Sequence, residues 1–133
     1  PYFVVDKVRE ALNRKKMSVN GSKVLLLGVA YKRDVGDVRE SPALDVLKLL
    51  VEDGAEVRYH DPYVPRLDEE GVTLDCVDLT DEVLSEADIV VILTDHSQFD
   101  YRWILRHSKA LVDTRHATPR VDGGPEHSWI VKS

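Results

Sequence analysis

Long apolar runs are missing from this sequence, and nothing in it approaches the roughly eighteen consecutive apolar residues that a membrane-crossing helix needs. Cysteine is almost missing too. Cys76 stands alone and cannot close an internal disulfide, which excludes the stapled framework of a small secreted scaffold. No N-terminal stretch joins a charged region to an apolar core, so secretion has no support and a cytoplasmic location is expected. Positive charge is also short: 18 Lys and Arg against 24 Asp and Glu leave a net charge of −6. That balance argues against nucleic-acid binding, which needs a basic surface. Any anion site must therefore be local. The five histidines show no i, i+4 pair and no Cys-x-x-Cys partner, so no metal site is expected. Repeats and low-complexity segments are absent.

What is present suits one soluble globular domain, since 133 residues suffice for a core but not for two ordinary domains. Val5, Val8 and Leu12 form one apolar face of an opening helix that has no preceding turn or cap, as in a fragment of a longer chain. Lys23 to Gly28 is a near-continuous apolar run, expected of a parallel strand covered on both faces. Ser41 and Pro42 read as the N-cap and first position of a helix with Leu44, Leu47 and Val51 as its core stripe and Gly54 at its end. Ala55 to His60 is a second strand, stopped at Asp61-Pro62. A short helix capped at Thr80, a buried strand over Asp88 to Leu93, a helix over Asp100 to His107 and a last strand over Ala110 to Asp113 complete the pattern. This alternation predicts an α/β fold, a Rossmann-like doubly wound parallel sheet of at least four strands, forming a single domain preceded by a helix. Pro119 to Ser133, with Gly123-Gly124-Pro125, reads as an irregular tail.

The richest segment runs from Leu27 to Pro42, joining a buried strand to a capped helix through a loop that carries Lys32, Arg33 and Arg39. In an open α/β sheet, ligands settle beyond the carboxyl ends of the strands, near the positive end of the following helix. Guanidinium forks and point charges suit a diphosphate. Asp34, Asp37 and Glu40 lie among these cations, so a merely solvated loop is the bland alternative. A dinucleotide turn needs glycines at fixed offsets. After Gly28 only Gly36 follows, so the G-x-G-x-x-G pattern is absent.

A strand ending LGVAYK, a D-x-x-D-x-R-x-S-P loop, a helix, a strand ending YHDPYVP and a late VDTR resemble, in that order, the C-terminal domain of the UDP-glucose/GDP-mannose dehydrogenase family. The likeness spans roughly Val4 to His116, and its wording is closest to the branch acting on UDP-N-acetyl-hexosamines. The resemblance implies that residues 1–20 end a central linker helix and that 21–118 form the nucleotide-sugar-binding domain, with 119–133 as the tail. It further implies Tyr31 and Lys32 as UDP-sugar contacts, Arg115 as another, and Arg39 as the residue reaching NAD, a cofactor bound mainly by an N-terminal domain outside this chain. A partner dehydrogenase domain and a homo-oligomer are implied in the same way. Arg33 receives no role.

The family's catalytic cysteine belongs to a Pro-x-Lys-Asp context, whereas Cys76 lies in Leu-Asp-Cys-Val-Asp, where flanking carboxylates disfavour a thiolate. Cys76 is therefore expected to be a small buried apolar residue, and no catalytic residue is assigned to the chain. His60-Asp61 and Asp95-His96 each look like a base with its orienting carboxylate. Adjacent side chains seldom face each other, so strand-end capping is the expected role of both. Tyr59, Tyr63, Tyr101 and Trp103 are expected to pack in the core or against a neighbouring domain. The resulting expectation is the UDP-sugar-binding part of an NAD-dependent nucleotide-sugar 6-dehydrogenase, inactive alone. A free-standing nucleotide-binding or regulatory module and a structural oligomerisation domain remain alternatives.

Overall fold

The computed structural model describes residues 1–118; the expected irregular tail lies outside the described residues. Helix α1 (Tyr2–Arg14) is followed by β1 (Lys23–Leu27), α2 (Pro42–Glu52), β2 (Glu56–His60), β3 (Arg66–Glu69), β4 (Val72–Asp75), α3 (Asp81–Glu86), β5 (Ile89–Ile92), α4 (Tyr101–His107) and β6 (Leu111–Asp113). The main sheet has the order β2-β1-β5-β6, and all its pairings are parallel. Because β2 lies on one side of β1 and β5 on the other, strand order reverses at the carboxyl end of β1, the position where open α/β sheets form a ligand crevice.

The alternation of side chains along each strand feeds two cores. Val24 and Leu26, with Ile89, Val91, Ala110 and Val112, meet the buried faces of α1 and α2. Leu25 and Leu27, with Val90, Ile92 and Leu111, meet Leu84 of α3 and Ile104 and Leu105 of α4. The sheet is thus covered on both faces, as the apolar strands require.

In α1, Val5, Val8 and Leu12 are buried as their spacing predicts. Ser41 caps α2 by accepting from the Ala43 amide at 3.2 Å, and Thr80 and Asp100 cap α3 and α4 in the same manner. The expected stripe on α2 needs one correction. Val51 is exposed, and Leu50 with Ala43, Val46 and Leu47 faces the core, because the helix is covered on one side by the sheet and on another by α1. A second difference is an antiparallel hairpin of β3 and β4, in a segment to which the sequence pattern assigns no element. Its turn residues Glu70 and Gly71 both have positive φ, 51° and 82°, as a two-residue hairpin with the right-handed strand twist requires.

Candidate functional site

Register places Leu27 opposite both His60 and Ile92, and Ile92 opposite Asp113, so the segments that follow β1, β2, β5 and β6 emerge along one edge. The turn out of β1 is tight. Gly28 has φ of 80°, and a Cβ there would lie 2.5 Å from the Thr94 carbonyl oxygen. Thr94 in turn donates its hydroxyl to the Ala30 carbonyl at 2.7 Å, fastening the first residues of the loop to the exit of β5.

Asp61, buried at the end of β2, fixes the same residues from the other side. Its Oδ2 accepts from the amides of Val29 at 2.8 Å and Ala30 at 3.1 Å, and its Oδ1 accepts from the Tyr63 amide. Within the same loop, Asp34 and Glu40 adopt left-handed backbone at φ of 61° and 58°. Such conformations cost non-glycine residues energy and persist where surrounding contacts impose them. For Asp34 those contacts are its amide donating to His96 Nδ1 at 2.8 Å, and the Ser97 amide at 2.7 Å and Ser97 hydroxyl at 2.6 Å, both donating to its carboxylate and holding it below the usual range.

Tyr31 emerges from this scaffold half exposed and lines a recess of about 200 Å³ together with Arg115, Ser41, Thr94 and Thr114. Asp113, buried at the end of β6, shapes the turn that carries Arg115. Its oxygens accept from the amides of Arg115 at 3.0 Å, Ala117 at 3.2 Å and Thr118 at 2.8 Å, and from the Thr118 hydroxyl at 2.6 Å. Burial alone would raise the Asp113 carboxyl, but these hydrogen bonds prevail and hold it below the ordinary carboxylate range.

The other expected site residues are distributed less tightly. Lys32 is exposed in the same loop but does not line that recess. Arg39 borders a neighbouring opening with Tyr31, Asp37 and Glu40, and its guanidinium pairs with Asp37 through two contacts of 3.1 Å. Its side chain is 78% exposed, so the guanidinium remains reachable from outside the chain. Arg33, to which sequence reasoning gave no role, is ion-paired with Asp95 beyond β5. The same carboxylate has Arg115 Nε 3.5 Å from its Oδ1, an oxygen that is buried and accepts no hydrogen bond. Burial alone would raise the Asp95 carboxyl; the Arg33 hydrogen bond and the two guanidinium charges outweigh it and keep Asp95 ionised.

The adjacent His-Asp pairs are not the pairs that form. His96 Nε2 lies 2.9 Å from Asp61 Oδ2, and both side chains are buried. His60 Nδ1 lies 2.7 Å from the Val77 carbonyl and must donate to it, so it has no lone pair for the Cys76 thiol 3.5 Å away. Cys76 itself is half buried rather than enclosed, because it sits at the end of β4 among polar groups of residues 60, 61 and 77. Burial pushes its thiol up, and the charges of Asp61 and Asp78 add to that. A protonated thiol is a poor nucleophile. Tyr59 is fully buried, with its hydroxyl donating to the Val64 carbonyl at 2.9 Å, whereas Tyr63 is partly exposed and lies against the His96 ring. Among the described residues, no helix is long and apolar enough to cross a membrane, and no three His, Cys, Asp or Glu side chains gather as a metal site.

The chain matches the model of the UDP-glucose/GDP-mannose dehydrogenase family, UDP binding domain, over residues 25–120. It is 37% identical over 99 residues to a UDP-N-acetyl-D-mannosamine dehydrogenase of Methanococcus maripaludis, covering 74% of this chain and 21% of the relative. To the protein of that name from Escherichia coli K12 it is 32% identical over 104 residues, covering 74% of this chain and 25% of the relative. Among solved structures it is similar to the UDP-D-ManNAc dehydrogenase of Pyrococcus horikoshii, with a TM-score of 0.76 at 27% identity over 99% of this chain and 30% of that one. An NDP-N-acetyl-D-galactosaminuronic acid dehydrogenase from Methanosarcina mazei Go1 gives 0.79 at 28% identity over 99% and 28%. The chain therefore spans about a quarter of the length of the relatives it matches. Its parallel sheet, its loop sequence and the matched span agree: this chain belongs to the UDP-glucose/GDP-mannose dehydrogenase family and corresponds to that family's UDP-binding domain.

Proposed function

We propose that this chain is the nucleotide-sugar-binding part of an NAD-dependent nucleotide-sugar 6-dehydrogenase, acting on a UDP-hexose or UDP-N-acetyl-hexosamine and yielding the uronate. The observation that carries this reading is the recess at the switch point, where Tyr31 from the β1 loop and Arg115 from the β6 turn face a common space. In this reading Tyr31 packs on the nucleotide sugar, Lys32 supplies a point charge, and Arg115 offers a guanidinium fork to a phosphate. Residues 1–20 end the linker helix, and residues 21–118 form the binding domain. The complete protein is expected to be cytoplasmic and a homo-oligomer.

NAD fits this chain only at its rim. Gly28 is closed over by Thr94, so the first turn has no room for a pyrophosphate, while the exposed Arg39 guanidinium can reach a cofactor seated on the N-terminal domain. Arg39 would help to hold NAD, which supplies a hydride acceptor when bound. The residues of this chain hold and orient the sugar nucleotide, and the chain alone turns nothing over.

Calorimetric titration of UDP into the chain tests the reading. Weak binding is expected, since one wall of a cleft makes only part of the contacts. Lys32→Ala and Arg115→Ala should each weaken it by about 1.5–3 kcal/mol, the scale of charged hydrogen bonds. No binding, or equal losses at Lys32, Arg33 and Arg115, would refute the assigned site. Production of NADH by the chain with a UDP-hexose would refute its inactivity.

A further inference from the structure

His96 is fully buried beyond β5, and each of its ring nitrogens has one hydrogen-bond partner, with the Asp34 carboxylate a further 3.9 Å from Nδ1. The Asp34 amide donates to Nδ1 at 2.8 Å, so Nδ1 presents its lone pair. Nε2 faces the Asp61 carboxylate at 2.9 Å and must carry the proton. The imidazole is therefore neutral and of one tautomer. Asp61 simultaneously accepts from Val29 and Ala30, the first residues of the β1 loop, while Nδ1 holds Asp34 farther along it. The two residues between those anchor points, apart from Arg33, are Tyr31 and Lys32. The Tyr63 ring, 4.8 Å away, and the Phe99 ring, 5.6 Å away, pack against the imidazole.

We propose that His96 is a positioning residue of the nucleotide-sugar site: as a neutral imidazole protonated on Nε2, it bridges Asp61 to the Asp34 amide and so fixes the segment that presents Tyr31 and Lys32. The proposal rests on the reading of those two residues as ligand contacts. Without Nδ1 the Asp34 amide loses its buried acceptor, and the left-handed conformation at Asp34 is left to the Ser97 contacts alone. The loop would then bind from a wider ensemble, and the ligand would have to order it.

Two substitutions divide the functions of the ring. Asn places an oxygen where Nδ1 stands and does not reach Asp61; Gln places an NH2 where Nε2 stands and offers Asp34 no acceptor. Hydrogen exchange of the Asp34 amide and UDP affinity are measured in the 133-residue chain and in both variants. His96→Gln is expected to speed exchange of the Asp34 amide and to weaken UDP binding by about tenfold each, the equivalent of one lost hydrogen bond; His96→Asn, which keeps the acceptor but frees it from Asp61, is expected to leave Asp34 exchange within about threefold and to weaken UDP binding less than His96→Gln does. Equal behaviour of the two variants, or unchanged Asp34 exchange in His96→Gln, would overturn the proposal. Should neither variant fold, the 15N spectrum of the unmodified chain decides it: protonated Nε2 with bare Nδ1 is expected, and a proton on Nδ1 overturns it. An unmodified chain that fails to bind UDP, while Asp34 exchange still follows the His96 acceptor, would refute the ligand reading and leave the clamp standing.

Discussion

Replacing Gly28 by Ala should be among the most damaging single-methyl additions in this domain, and the structure separates the two costs involved. The first is backbone: at φ of 80° an L-residue sits in the left-handed region, at a cost of about 1–2 kcal/mol. The second is steric. The new Cβ would lie 2.5 Å from the Thr94 carbonyl oxygen, 2.6 Å from its Cβ and 2.8 Å from its nitrogen. Thr94 is buried and hydrogen-bonded to Ala30, so it cannot move aside without disturbing the loop, and overpacking of this kind adds about 1–3 kcal/mol. The sum, about 2–5 kcal/mol, is a large share of the 5–15 kcal/mol, roughly, that holds a domain together. Gly21 and Gly71 provide internal controls. Both have φ of 82° and neither has an atom within 4 Å of the added Cβ, so their Ala variants report the backbone cost alone. Urea denaturation with an unchanged m-value measures each variant. If Gly28→Ala loses no more stability than Gly21→Ala, the contact with Thr94 is not the constraint described above.

Three further outcomes are expected. Asp113→Asn should cost about 1.5–3 kcal/mol at pH 7, because an amide cannot accept the full set of donors around the Arg115 turn. Since the folded Asp113 carboxyl lies below its unfolded value, its contribution is complete above about pH 4 and is lost as pH falls through the lowered value; denaturation midpoints of wild type and variant should converge in acid. Cys76→Ser should change stability by no more than about 1 kcal/mol and leave UDP titration unaltered, and loss of binding without unfolding would contradict the reading of its thiol. In a chain extended by the dehydrogenase domain, Arg39→Ala should raise KM for NAD more than for the UDP-sugar and Lys32→Ala the reverse, and parallel shifts would cancel both assignments.

The strands and caps were legible in the sequence because their causes are local. Four consecutive apolar residues from Val24 require cover on both faces, and Ser41-Pro42 suits only a helix start. The β3-β4 hairpin was harder to see: Leu67 is the only apolar residue of β3, and Glu-Gly is not one of the strong turn pairs. The alternation Val72, Leu74 after Gly71 was the available signal. The organisation of the site could not be read along the chain at all. Adjacent side chains diverge, so within His60-Asp61 and Asp95-His96 only Asp61 and His96 turn toward each other, while His60 meets the Val77 carbonyl and Asp95 meets Arg33. Those members, Asp61 and His96, lie 35 positions apart and meet because β2 and β5 flank the same strand. Likewise, Arg33 and Arg115 share Asp95 through the sheet and not through any motif.

That shared carboxylate makes anion capture by this edge an exchange reaction. Arg33 and Arg115 already have a negative partner, so an incoming anion gains only the difference between its own contacts and those with Asp95. A ligand that draws Arg115 away also leaves an Asp95 oxygen, which accepts no hydrogen bond, with one cation fewer. A singly charged anion such as chloride offers too little in return, whereas a diphosphate, with several strong acceptors on adjacent groups, can replace the carboxylate and hold more donors than it displaces. On the proposed reading of Arg115 as a phosphate contact, the resident carboxylate favours a diphosphate over small anions.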